Sequence, residues 1–300
     1  MNREAIFDYL YSGLGQQESR WMTVDDPLTD IEKIREAVSE SGFVLEYEIA
    51  SMLESQDWNV IPSFNVKDID TGKSRELDIY AYKVQGYNDR FVRLGLIIEC
   101  KTASHPTVFF TRSFLRHPVF PAAFKISVSE EIQKEKKRRE WLEDSIMRQL
   151  DPQKLCFELA MEEYATQFCQ LERKGNDRLK AYRDGGPITS LLKKTHATIM
   201  DRTEQFAPIG KRIDVSIFWT IMVCKAPIYI CKGNPESLAE TDCVTLFQHY
   251  TSSTLEGEFW IRVVRDTALE DFLSREVYIV GESIYKEFQE LELEGIMRQM

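Results

Sequence analysis

Apolar positions change their spacing several times along this chain, and each change marks an element. Ile6 and Leu10 share a helical face. From about Pro27 to Ser41, Leu28, Ile31, Ile34 and Val38 recur at helix spacing, with Asp26 and Pro27 as cap and first-turn residue. Gly42 interrupts this run, and a fresh helix is expected over Phe43–Ser55. From Trp58 the period shortens. WNVIPSFNV is rich in β-favouring residues, DIDTGKS supplies a turn, and RELDIYAYKV alternates as a strand does. After a second turn in QGYNDR comes FVRLGLIIECK, whose centre is too apolar for an exposed edge and predicts the interior of a mixed sheet.

Residues 129–174 are rich in Glu, Lys, Leu and Met and predict two helices broken near Asp151 and Pro152. GNDRLKAYRDGGP reads as a loop. ITSLLKKTHATIMDRTEQF reads as a helix with Ile188, Leu191, Leu192, Thr195 and Ile199 along one side. Strands are expected at 215–223, 227–231, 243–250 and 258–264, and a last helix over roughly 282–298. No repeat or Pro/Gly/Ser linker divides the chain. The expectation is one elaborated α/β domain over 1–300: a helical extension at 1–41, a core at 42–102, a helical region at 129–206, further strands at 213–266 and a C-terminal helix at 282–300.

Composition narrows the function class. The hydrophobic fraction of 43% and charged fraction of 29% exclude global disorder. The net charge of −11 argues against a general electrostatic grip on nucleic acid, while leaving room for a local basic groove. No run approaches the length of an apolar membrane span, and the charged start does not resemble a secretion signal. The six cysteines include no C-x-x-C pair and read as reduced thiols, Cys224 and Cys231 included. A cytoplasmic protein with no membrane partner is expected.

Three polar residues stand in unusual company: Asp78 in ELDIYAY, and Glu99 and Lys101 in LIIECKT. An acid, a spacer and a base alone decides nothing, since chance supplies roughly six such triplets in a chain of this composition. Glu135-Lys136-Lys137 and Glu172-Arg173-Lys174 share the pattern and read as solvated helical faces. Glu99 and Lys101 instead close an apolar strand, where alternation puts both on one face. Charges at the end of a buried run are costly unless they serve each other or a ligand. Asp78, on the preceding strand, is expected opposite Glu99, and two carboxylates that close favour a hard divalent cation. A structural ion pair with Lys101 is the alternative. Glu46 lies three, four and seven residues before Ile49, Ala50 and Leu53, on the face expected to turn toward the sheet.

A helix bearing Glu, a hairpin bearing Asp and a strand ending in E-x-K resemble the core of the PD-(D/E)xK, or restriction-endonuclease-like, nucleases. LEYEIASML, ELDIYAY and LIIECK look like Mrr-type restriction enzymes and archaeal Holliday-junction resolvases over residues 41–102. Glu76-Leu77 precede the Asp here, in place of the family's Pro. The resemblance implies a restriction-endonuclease-like fold with a mixed central sheet, flanking helices and helical insertions. It also implies Mg²⁺- or Mn²⁺-dependent hydrolysis of phosphodiesters, in DNA ahead of RNA. Asp78 and Glu99, with the Cys100 carbonyl, would hold the metal. Lys101 would orient or deprotonate the attacking water, with a nearby cation lowering its pKa. Glu46 would bind a second metal or orient water. The alternative is a catalytically inactive scaffold of the same fold that binds nucleic acid or protein. A homo-oligomer is compatible with either.

Lys73, Arg75 and His105 are the nearest candidates for contact with nucleic acid. KEKKRR at 134–139, Lys193-Lys194 and Lys211-Arg212 are candidates for phosphate contacts, against the alternative of plain solvated faces. The Cys100 thiol, turned to the opposite face from its neighbours, reads as core. His117, His196 and His249 have no paired spacing, and the aromatics of TVFFTRSF read as core.

Overall fold

The computed structural model describes residues 31–102, 105–113, 122–129, 136–150, 163–174, 178–182, 185–206, 212–252 and 255–291. The helix expected about Ile6 and Leu10, the break at Asp151-Pro152, His117, Lys211 and the C-terminal helix beyond 291 lie outside them. The chain divides into two units, 1–41 and 42–300. In the first, helix α1 (Ile31–Glu40) follows the expected period, and its Ile31, Ile34 and Val38 are exposed.

The second unit opens with α2 (Gly42–Ser55), followed by three antiparallel strands, β1 (Asn59–Lys67), β2 (Ser74–Tyr87) and β3 (Arg90–Lys101). Tyr87 pairs with Arg90, so β2 and β3 meet in a two-residue turn, with Asn88 at φ 53°, as tight hairpins require. Then come β4 (Thr107–Ser113), β5 (Ala123–Val128), α3 (Lys136–Leu150), β6 (Glu163–Lys174), β7 (Arg178–Tyr182) and α4 (Gly186–Gln205). The remainder is β8 (Ile213–Cys224), β9 (Ile228–Cys231), β10 (Ala239–Thr241), β11 (Cys243–Thr251), β12 (Glu256–Arg265), α5 (Leu269–Phe272), a π-helical turn (Leu273–Tyr278) and α6 (Ile279–Glu290). This is an α/β architecture with a large mixed sheet flanked by helices.

Two expectations are corrected. The region 129–206 is not wholly helical: Glu163–Lys174 is a strand, and so is Arg178–Tyr182 inside the expected loop. Local Glu/Lys content suggested helix, but β6 pairs with β4, β7 and β11, so ladder bonds and burial of Ala165 and Phe168 override local preference. Glu172 and Lys174 are accordingly exposed on a strand, not on a helical face.

The described strands form one sheet in the order β1-β2-β3-β8-β12-β11-β6-β4-β9-β10. β3 and β8 pair in parallel from Arg90↔Ile213 to Lys101↔Cys224, and both are buried along most of their length. This is the interior pair that the apolar run of β3 predicts. The other edge of β8 is shared by β5 over Ile213–Phe218 and β12 over Thr220–Cys224. β3 leads on to β4 and β8 to β9, which pair again in parallel. Lys225 N donates to Lys101 O at 3.1 Å, and Thr107 N to Pro227 O at 3.2 Å, stitching the two bends together. One core holds α2, α3, α5 and α6 on the sheet around Ile98 and Trp219. The other packs α4 through Ile188, Leu191 and Leu192 against Phe109, Phe168, Phe218 and Met222. The motif residues sit where β2 and β3 reach the boundary between these two cores.

Candidate active site

Asp78 owes its position to an irregularity in β2. The β1–β2 register pairs Pro62 with Ile79 and Phe64 with Leu77, leaving Ser63 and Asp78 between them without a pairing, and Ser63 has φ 48°. Leu77 packs in the core of α4 while Ile79 packs in the core of α2, although residues two apart in a regular strand share a face. No residue is added on either strand there, yet the chain turns over at Asp78 across this unpaired position. Its carboxylate Oδ2 accepts from Cys100 N at 2.7 Å, just past Ile79↔Ile98, where the β2–β3 ladder ends.

Glu99 follows Ile98 and faces the α4 side, as does Lys101 two residues on. Both Glu99 oxygens are engaged: Lys101 Nζ lies 2.8 Å from Oε1, and Lys194 Nζ lies 2.7 Å from Oε2. Glu99 is 5% exposed and Lys194 8%, so this is a buried ion triad with one partner, Lys101, near solvent. The position of Lys194 follows from the packing of α4. Arg202, two turns along, lies 4.1 Å over the Phe64 ring and 5.0 Å from the Tyr80 ring, and Lys193 pairs with Asp70 at 2.7 Å. These contacts seat the helix on β1, β2 and their turn.

Glu46 rises from α2, half-buried, at the sheet's end. Burial, then repulsion from Asp78, Glu76 and Glu99, pushes its carboxyl above the usual range. Burial and the Glu99 charge likewise raise Asp78, against the opposing pull of the Cys100 N–H and the two lysines. Glu46 and Asp78 are therefore each harder to ionise because of the neighbouring carboxylates. Burial alone would lower Lys101, but its charge and hydrogen-bond contacts with Glu99 outweigh that and raise it. Burial and the neighbouring carboxylates push the Cys100 thiol far up, so it is no nucleophile.

Among the described residues no three His, Cys, Asp or Glu side chains form a ready-made metal cage. Glu99 is turned onto ammonium groups instead. The donor set still suits a hard dication, because every candidate ligand is an oxygen and the mutual repulsion of Glu46, Asp78 and Glu99 is relieved by positive charge.

Of the nucleic-acid candidates, Lys73 is exposed beside the β1–β2 turn and His105 is half-buried close to Lys101. Arg75 has its guanidinium paired with buried Asp68, which also accepts from the backbone N–H groups of Asp70 and Thr71, so it helps close the turn. Lys193 and Lys194 are both held in ion pairs, with Asp70 and Glu99 respectively. Lys194 is the residue the sequence reading undervalued. Its spacing of three from Leu191 and four from Thr198 puts it on the buried stripe, a signal hidden by the lysine beside it. Arg212 pairs with Asp214 in two hydrogen bonds and stacks on Phe91, again an internal role. Set beside protein-family models, curated proteins and solved structures, the chain matches none.

Proposed function

We propose that the protein is a metal-dependent nuclease of the restriction-endonuclease-like type, hydrolysing phosphodiesters with Mg²⁺ or Mn²⁺, in DNA ahead of RNA. The observation that carries this reading is the gathering of Asp78, Glu99 and Lys101 at one end of the sheet with Glu46 electrostatically coupled to them. Asp78, Glu99, the Cys100 carbonyl and Glu46 are the groups that would hold the metal. Bound there, it supplies Lewis-acid polarisation of the phosphate and a more acidic water. Lys101, anchored by Glu99, positions the attacking water and offsets negative charge as the phosphorane forms. Lys194 keeps the Glu99 carboxylate oriented from the buried side and reduces the cost of its burial.

A second reading, the same scaffold without catalysis, is favoured by one observation: both Glu99 oxygens are already satisfied by lysines, which is what a structural ion cluster requires. The test is incubation of the pure protein with plasmid, linear duplex and single-stranded DNA, and with RNA, plus Mg²⁺ or Mn²⁺, alongside Glu99→Ala. Metal-dependent cleavage lost in the variant supports the nuclease. Absence of cleavage by the wild type on every substrate, or equal cleavage by the variant, leaves the scaffold.

A further inference from the structure

Lys101 has a second set of neighbours. It forms one wall of an open pocket of about 530 Å³, solvent at its mouth included. The floor is apolar, made of buried Phe109, Phe168, Ile188 and Met222, the two phenylalanine rings lying 5.9 Å apart between centroids. The rim is polar and comes from facing strands: Thr107 of β4 pairs with Gln170 of β6, and His105 precedes them. Among the described residues, the side chains of His105, Thr107 and Gln170 have no hydrogen-bond partner. An aromatic and aliphatic floor with an amide, a hydroxyl and an imidazole at its edge matches a nucleobase, which has an apolar face and a hydrogen-bonding edge. A base in a stacked duplex cannot present its face to such a floor.

We infer that this pocket takes one unstacked nucleobase next to the phosphate at Lys101, so that the substrate is a single-stranded or locally opened nucleic acid and not a continuous duplex. Phe109 and Phe168 supply the contact to the base, and the Gln170 amide with the Thr107 hydroxyl reads its edge. This rests on the nuclease reading for the phosphate's position, while the pocket itself does not depend on cleavage.

The experiment measures binding in EDTA by fluorescence anisotropy, using a labelled single-stranded DNA dodecamer, its RNA counterpart and the blunt DNA duplex. Gln170→Met removes the amide at a half-buried position, Ile188→Trp fills the floor, and thermal melting checks that each is folded. Wild type is expected to bind a single strand about tenfold more tightly than duplex, and each folded variant to lose about that factor on the single strand alone. A preference for either single strand supports the pocket, and the tighter of the two identifies its source. Equal affinity for strand and duplex overturns it, as does Gln170→Met binding the single strand like wild type. Cleavage with Mg²⁺ is read separately. Pocket-dependent binding without cleavage removes the nuclease and keeps the pocket. Glu99-dependent cleavage by variants that bind normally does the reverse.

Discussion

Lys194 Nζ lies 2.7 Å from Glu99 Oε2, joining the middle of helix α4 to the end of β3 across 95 positions of sequence. The contact closes the candidate site from its buried side, as Lys101 closes it near solvent.

The two lysines therefore differ in their structural weight. Lys194→Ala leaves one oxygen of a buried carboxylate without its partner and should lower unfolding free energy by about 1–3 kcal/mol. Lys101→Ala, at a partly exposed pair, should cost less than about 1 kcal/mol. Urea denaturation of both variants ranks them. Cleavage should nevertheless fall further in Lys101→Ala, and a reversed order in activity would remove Lys101 from the water-positioning role.

Asp78 has two separable duties. Asp78→Asn keeps an oxygen to accept from Cys100 N but removes the charge, whereas Asp78→Ala removes both. The expected outcome is near wild-type stability for Asn and a loss of about 1–2 kcal/mol for Ala. Cleavage should drop at least about a hundredfold in both. Asn retaining full turnover would reduce Asp78 to a ladder cap.

Ser63 lies opposite Asp78 at the unpaired position of the β1–β2 ladder, at φ 48°, a conformation that β-branched residues tolerate poorly. Ser63→Val should destabilise by about 1–2 kcal/mol and Ser63→Gly by nothing measurable, read by chemical denaturation. A Val variant as stable as wild type would mean that the Ser63 backbone conformation imposes no strain.

Acid stability should depend on the β1–β2 turn. Burial tends to raise Asp68, but the Thr71 backbone N–H and the Arg75 guanidinium outweigh it and hold the carboxyl at about 2, against an ordinary 3.8. A lowered folded-state pKa means that the unfolded chain binds more protons between those values, so stability rises with pH there. The contribution is complete above about pH 4 and lost as pH falls toward about 2. Denaturation across that window should show a shallower pH dependence for Asp68→Asn. An identical slope would show that the pairing does not form in solution.

The hairpins of β1–β3, the buried β3, the later strands and the inward stripe of α4 were legible because each is a local pattern of apolar spacing. The β6 strand was not, since its identity comes from partners distant in sequence, β4 and β11, that no local window contains, and β7 becomes a strand only by pairing with β6. For the candidate site, alternation was enough to put Glu99 and Lys101 on one face. The break in the ladder at Ser63 and Asp78 depends on how β1 pairs with β2. Lys194 reads in sequence as half of a surface lysine pair.

The chain's own order of residues thus determined which groups carry charge at the end of a buried strand, because desolvation makes such placements costly and therefore conspicuous. Only the tertiary structure decided which partners they have. The pairing of β3 with β8 and the docking of α4 bring an ammonium group from position 194 onto Glu99, and an ion pair across that separation is governed by packing, not by sequence spacing.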